Sequence, residues 1–281
     1  MNNFSENNNF LCIFNFRYND EEFPFRILKM CEYIFKHFGY PIKKIYYANE
    51  KNSRSPKYER FKMMLSANDY NYTNISFYSG KKYSLDSDFY IDIRNYTRFA
   101  KFSPQCKDLF TVSIVIKEQR IIDNIINNYI DIVNILSHRD KNEFSGFAYS
   151  FSKKYDDSYL AYGILNGGYK YSYDMYNLAN WINDSSLKSG TIGYLGVFTN
   201  LDEFQTSILR KTLGSENIYI VNNTVIYNCK NAVLNPYSGM NKEDSFFVTS
   251  EYSELSRLFE HLLSYESVGY NYYTNSLKSL Q

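Results

Sequence analysis

The tightest constraint on the fold lies in IYIVNNTVIYNCKNAVLN, residues 218–235. Ile218, Val221, Val225, Ile226 and Tyr227 are strand formers, and Asn222-Asn223 stands between the two runs where a tight turn belongs. Two strands joined this closely pair as an antiparallel hairpin, so at least part of the chain is antiparallel sheet. The same strand chemistry recurs along the sequence. LCIFNFRY (11–18), YNYTNISFYS (70–79), DFYIDIRNY (88–96), FSGFAYSFSK (144–153), DSYLAYGIL (157–165) and TIGYLGVFT (191–199) are rich in aromatic and β-branched residues. A turn near Ser79-Gly80 joins the second and third of these, and LFTVSIVIK (109–117) is apolar enough for a central strand.

Helical patterns are interspersed. Residues 19–39 carry Ile27, Met30, Cys31, Ile34, Phe35 and Phe38 at three- and four-residue spacing, with Asn19 or Asp20 as the expected cap and Gly39 and Pro41 as the stop. Residues 118–136 place Ile121, Ile122, Ile125, Ile126, Tyr129, Ile132 and Val133 on one face. Residues 201–214 form a helix opened by Thr199 or Asn200 and ended by Gly214. Residues 173–184 form a short helix, and residues 249–265 a longer one with a capping box at Thr249-Ser250 and Glu254. Hairpins mixed with helices, without regular βα alternation, predict an α+β fold: mostly antiparallel sheet with helices packed on one face. The polar stretch SHRDKNE (137–143) divides a disordered leader (1–9) and an N-terminal half (10–140) from a C-terminal half (141–281), two similar-sized halves able to share one sheet.

Composition removes several function classes. The chain has 281 residues and a net charge of +1, without the basic excess of a dedicated nucleic-acid binder. The basic segment 43–62 interleaves Lys43, Lys44, Arg54 and Arg60 with Tyr46, Tyr47 and Tyr58, which would suit stacked single-stranded bases but equally a solvated surface. The solvated surface is favoured, and nucleic-acid binding is kept as the alternative. Cys12, Cys31, Cys106 and Cys229 lie far apart with no CxxC pair, so they read as reduced, buried thiols in a cytoplasmic protein and not as a zinc site. No apolar run is long enough for a membrane span, and MNNFSENNNF has neither part of a secretion signal.

No phosphate loop, dinucleotide fingerprint or nucleophile elbow occurs, and neither SGKKYS (79–84) nor GGYKYS (167–172) has the required spacing. His37, His138 and His261 form no i, i+4 ligand pair; His37 and His261 instead suit helix C-termini. The acidic clusters Asp86/Asp88 with Asp92, Asp156-Asp157 and Glu243-Asp244 sit at turns, where Asp is ordinary. The sequence therefore assigns no catalytic residue, no metal and no cofactor. An enzyme would need a site assembled from dispersed residues.

The C-terminal stretch GTIGYLGVFTNLDEFQTSILRKTLGSENIYIVNNTVIYNCKNAVLNPYSGMNKEDSFFVTSEYSELSRLFEHL (190–262) resembles the end of bacterial immunity proteins of polymorphic-toxin and type VI secretion systems, nearest the Immunity protein 52 family. The likeness is one of layout: a strand at Tyr194–Phe198, a helix at Phe204–Leu213, a hairpin at Ile218–Cys229, a polar loop at Asn235–Asp244, and a last helix holding Tyr252. The resemblance implies a non-enzymatic cytoplasmic protein that binds and blocks a cognate antibacterial toxin, in the family pattern often a nuclease. Under that reading, aromatic anchors and acidic loops would carry the contact. The expected contact residues are Tyr83, Asp86 and Asp88, then Tyr155, Asp156 and Asp157, and finally Tyr237, Glu243 and Asp244.

Overall fold

Strand β1 (Asn8–Arg17) carries Phe10, Cys12, Phe14 and Phe16 on one side and Leu11 and Ile13 on the other, all of them buried. A strand apolar on both sides belongs in the middle of a sheet, and β1 is hydrogen-bonded on both edges. The computed structural model describes residues 8–17, 22–49, 51–66, 72–95, 109–137, 144–152, 195–199 and 201–228.

After β1 come α1 (Phe23–His37), β2 (Lys44–Ala48), β3 (Ser53–Arg54), α2 (Tyr58–Ser66), β4 (Asn74–Tyr78), β5 (Phe89–Asn95) and β6 (Leu109–Ile116). Then follow α3 (Gln119–Ile122), α4 (Ile125–Ser137), β7 (Phe144–Ser152), β8 (Leu195–Thr199), α5 (Glu203–Leu213), β9 (Ile218–Val221) and β10 (Thr224–Asn228). The strands form one 10-stranded sheet in the order β3-β2-β4-β5-β6-β1-β7-β8-β10-β9. Every pairing in it is antiparallel. The expected α+β class is therefore observed, and β1 against β7 joins the strands of both halves into one sheet.

Helices α1, α2 and α4 cover one face. Ile27, Cys31, Ile34 and Phe35 of α1, Phe61 of α2, and Tyr129, Ile132 and Val133 of α4 share a core with alternate residues of the central strands. Aromatic rings lock the layers: Phe14 stacks on Tyr129 at 5.6 Å, and Phe35 meets Phe77 and Phe89 edge-on at 6.2 and 5.1 Å. Each such ring, fully buried, contributes about 1.5–3 kcal/mol of apolar transfer. At the β9–β10 end, α5 lies over the reverse face, beside Ile220 and Val225.

Several local expectations shift. β1 begins at Asn8, so the last two residues of the expected leader pair with β7, while residues 1–7 lie outside the described residues. Helix α1 starts at Phe23 with Pro24 in its first turn and Glu22 as an N-cap that makes no side-chain cap bond; Asn19 and Asp20 are outside the described residues. The helix expected over 118–136 breaks at Asp123-Asn124 into α3 and α4. There the Asn128 side-chain amide donates to the Ile121 carbonyl at 2.7 Å, capping α3 from the next turn. The segment read as a solvated basic surface is in part structural. β2 alternates through its length, burying Ile45 and Tyr47. The strand expected at 157–165, the helices at 173–184 and 249–265, and His138, His261, Cys106 and Cys229 lie outside the described residues.

Candidate partner-binding surface

Tyr83, Asp86 and Asp88 fall in one loop, the connection between β4 and β5. The loop holds itself together. Ser79 Oγ accepts from the Phe89 amide at 3.2 Å, and Ser87 Oγ accepts from the Gly80 amide at 2.9 Å while donating to the Tyr83 carbonyl. The Asp86 carboxylate accepts hydrogen bonds from the backbone amides of Lys82 at 2.7 Å and Lys81 at 3.0 Å. Desolvation would raise its pKa, but the backbone bonds from Lys82 and Lys81 outweigh that and hold the carboxyl below its ordinary value. Gly80 makes this closure possible, because a Cβ there would lie 2.0 Å from Asp86 Oδ1 and 2.4 Å from the Asp86 carbonyl.

Tyr83 is set with φ 58°, in the left-handed region. Its hydroxyl is 2.8 Å from Ser55 Oγ, Lys44 Nζ lies 5.0 Å from the ring centroid, and Tyr78 meets it edge-on at 5.4 Å. The Asp88 carbonyl accepts from the Lys117 amide at 2.7 Å, and Lys117 Nζ donates to the Ser84 carbonyl at 2.8 Å. The result is a braced projection with Leu85, 89% exposed, at its tip. Tyr155, Asp156, Asp157, Tyr237, Glu243 and Asp244 lie outside the described residues.

From the loop, a row of side chains runs across the sheet: Lys44, Tyr78 and Tyr90 are cross-strand partners. Tyr78 and Tyr90 lie 5.5 Å apart, with Lys117 Nζ 5.6 Å from the Tyr90 centroid. Burial first, and the nearby Asp92 carboxylate second, push the Tyr78 phenol up to about 12. One row further along, Ser76 lies 2.6 Å from Asp92, whose carboxylate pairs with Arg94 at 2.7 Å. Both side chains of this pair are largely buried on the sheet.

The helical side carries a second feature that the sequence reading did not pick out. Tyr33 of α1 is 57% exposed and separates two grooves. One, of about 600 Å³, runs between α1 and α4 over Met30 and Ile135. The other, of about 500 Å³, runs toward α2 and β2 over Pro41 and Ile42. His37 on α1 reaches Asp131 on α4 at 3.2 Å across the first, and the Tyr58 hydroxyl donates to Glu32 in the second. One signal was available: Tyr33 falls off the apolar stripe, at helical spacing from Lys29 and Lys36.

The described residues offer little for bond-making chemistry. Among them no group of three His, Cys, Asp or Glu side chains could hold a metal ion. Cys12 and Cys31 are buried, and burial pushes both thiols far up, which keeps them protonated. No described helix is long and apolar enough to cross a membrane.

No protein-family model matches the chain, and no curated protein matches it. Among solved structures it is similar to the Pseudomonas aeruginosa T6SS protein PA0821, with a TM-score of 0.54 at 14% identity, over 92% of this chain and 73% of that one. At this identity the likeness is one of fold, and the chain shares its overall architecture with a T6SS protein.

Proposed function

We propose that the chain is a cytoplasmic, non-enzymatic immunity protein that binds a cognate antibacterial toxin of a type VI secretion system and neutralises it. The observation that carries this reading is the fold shared with a T6SS protein. The layout resemblance of residues 190–262 to the Immunity protein 52 family supports it independently of that comparison. A braced loop with an exposed apolar tip is also what a binding protein needs, because a surface rigid before contact loses little entropy on association. Tyr83, Asp86 and Asp88 remain the proposed contacts within that loop. In the same reading Tyr155, Asp156, Asp157, Tyr237, Glu243 and Asp244 supply the other contacts.

The test is co-expression with the product of the neighbouring gene, scored for rescue of growth and for co-purification of the pair. Rescue with a stable complex is expected. Growth arrest without rescue, and no complex, would overturn the reading and make salt-dependent single-strand binding through segment 43–62 the next assay.

A further inference from the structure

The outer side of α1 presents Lys29, Tyr33 and Lys36 at positions i, i+4 and i+7, one above another on the helix. All three are exposed, and Lys29 and Tyr33 line both adjoining grooves. Around this ridge the cations Arg26, Lys29 and Lys36 share the groove walls with two carboxylates, Asp131, which meets His37, and Glu32, which accepts from the Tyr58 hydroxyl. Three cations against two carboxylates leave the groove walls net positive, above sheltered apolar ground at Met30, Ile135 and Ile42. Cavities of about 600 and 500 Å³ are in the size range of sites that take small ligands or a few side chains.

We infer that the α1 ridge is a docking site for an acidic segment of a protein partner, whose carboxylates meet Lys29 and Lys36 while its apolar side chains enter the grooves on either side of Tyr33. A complementary charge pattern gives register and rate, and an aromatic ridge between two apolar grooves supplies the anchor. A nucleic-acid strand fits less well. It has no aliphatic side chains to place over Met30 and Ile135. The proposal does not depend on the immunity reading, and it places positive charge at an interface distinct from the β4–β5 loop.

The experiment uses the full chain and fluorescence anisotropy with four probes. They are an amphipathic peptide of about twelve residues built from Glu and Leu, the same peptide with Lys for Glu, the same with Ser for Leu, and an oligothymidine of about equal length. The Glu/Leu peptide is expected to bind at least about tenfold more tightly than the other three. Tyr33→Ala, and the pair Lys29→Glu with Lys36→Glu, should each weaken it by about tenfold or more. These side chains are exposed, so the variants should keep the parent's circular dichroism and melting temperature. Three results overturn the inference: no binding of the Glu/Leu peptide, binding indifferent to these substitutions, or oligothymidine binding as tight and as sensitive to them. Because no toxin is present, failure here leaves the co-expression result standing, and failure there leaves this one.

Discussion

Asp86 illustrates how a side chain chosen for its charge can work inside its own loop. Its carboxylate accepts two backbone amide hydrogen bonds, and Gly80 leaves the space for it. Gly80→Ala pushes a methyl group into that carboxylate and the Asp86 backbone, and is expected to cost about 1–3 kcal/mol as an overpacking change. Urea midpoints measure the loss, and faster amide exchange at Lys81 and Lys82 would locate it. Glu32 gives a prediction with a pH signature. Desolvation raises its pKa above the ordinary 4.5, against the lowering effect of Lys62 and Lys29. A carboxyl raised on folding stabilises fully below its unfolded pKa, and that contribution is lost as pH rises through the folded value. Glu32→Gln keeps an acceptor for the Tyr58 hydroxyl and removes the charge. Relative to the parent, it is therefore expected to melt higher at pH 7 than at pH 4. An equal difference at both pH values would show that Glu32 ionises without penalty.

Helix α5 is the element whose start is best defined. Asp202 accepts from the Gln205 amide at 2.7 Å, and Gln205 Oε1 accepts from the Asp202 amide at 3.1 Å, a complete capping box. Asp202→Ala should cost about 1 kcal/mol, read from denaturant melts. The sequence placed this cap at Thr199 or Asn200. Thr199 is instead spent on the sheet, where its hydroxyl accepts from the Phe144 amide at 3.0 Å and lies 3.1 Å from the Phe144 carbonyl. Local patterns were otherwise legible where one signal dominated. The β9–β10 hairpin turns at Asn222 and Asn223, both at positive φ, and α1 buries Ile27, Cys31, Ile34 and Phe35 as its spacing required. Strand β2 was not legible, because Lys43 and Lys44 precede Ile45-Tyr46-Tyr47 and charge hid a period-two alternation over a short span. The loop's candidate residues could be read as turn residues, but their mutual hydrogen bonds depend on a backbone path that spacing does not encode. Strand order was equally beyond reach, since β1 pairs with β6 and β7, both about a hundred or more residues away along the chain.

That non-local pairing decides how the molecule should unfold. β1 lies between β6 and β7 and is shared by the strands on either side, so the sheet has no seam at the chain's midpoint. Phe14 sits at this junction, stacked on Tyr129 of α4 and 6.4 Å from Phe144 of β7. Its cross-strand neighbour is Gly146, where a Cβ would come within 2.6 Å of the Phe14 ring, so the ring covers a position kept clear for it. Phe14→Ala should open a cavity touching strands of both halves and cost about 3–5 kcal/mol. If the sheet is the cooperative unit, the parent shows one transition, with near- and far-ultraviolet circular dichroism coinciding, and the variant shows one transition at lower denaturant. Two separated transitions, only one of them moved by Phe14→Ala, would mean that the halves 10–140 and 141–281 fold as separate units despite the hydrogen bonds that join β1 to β7.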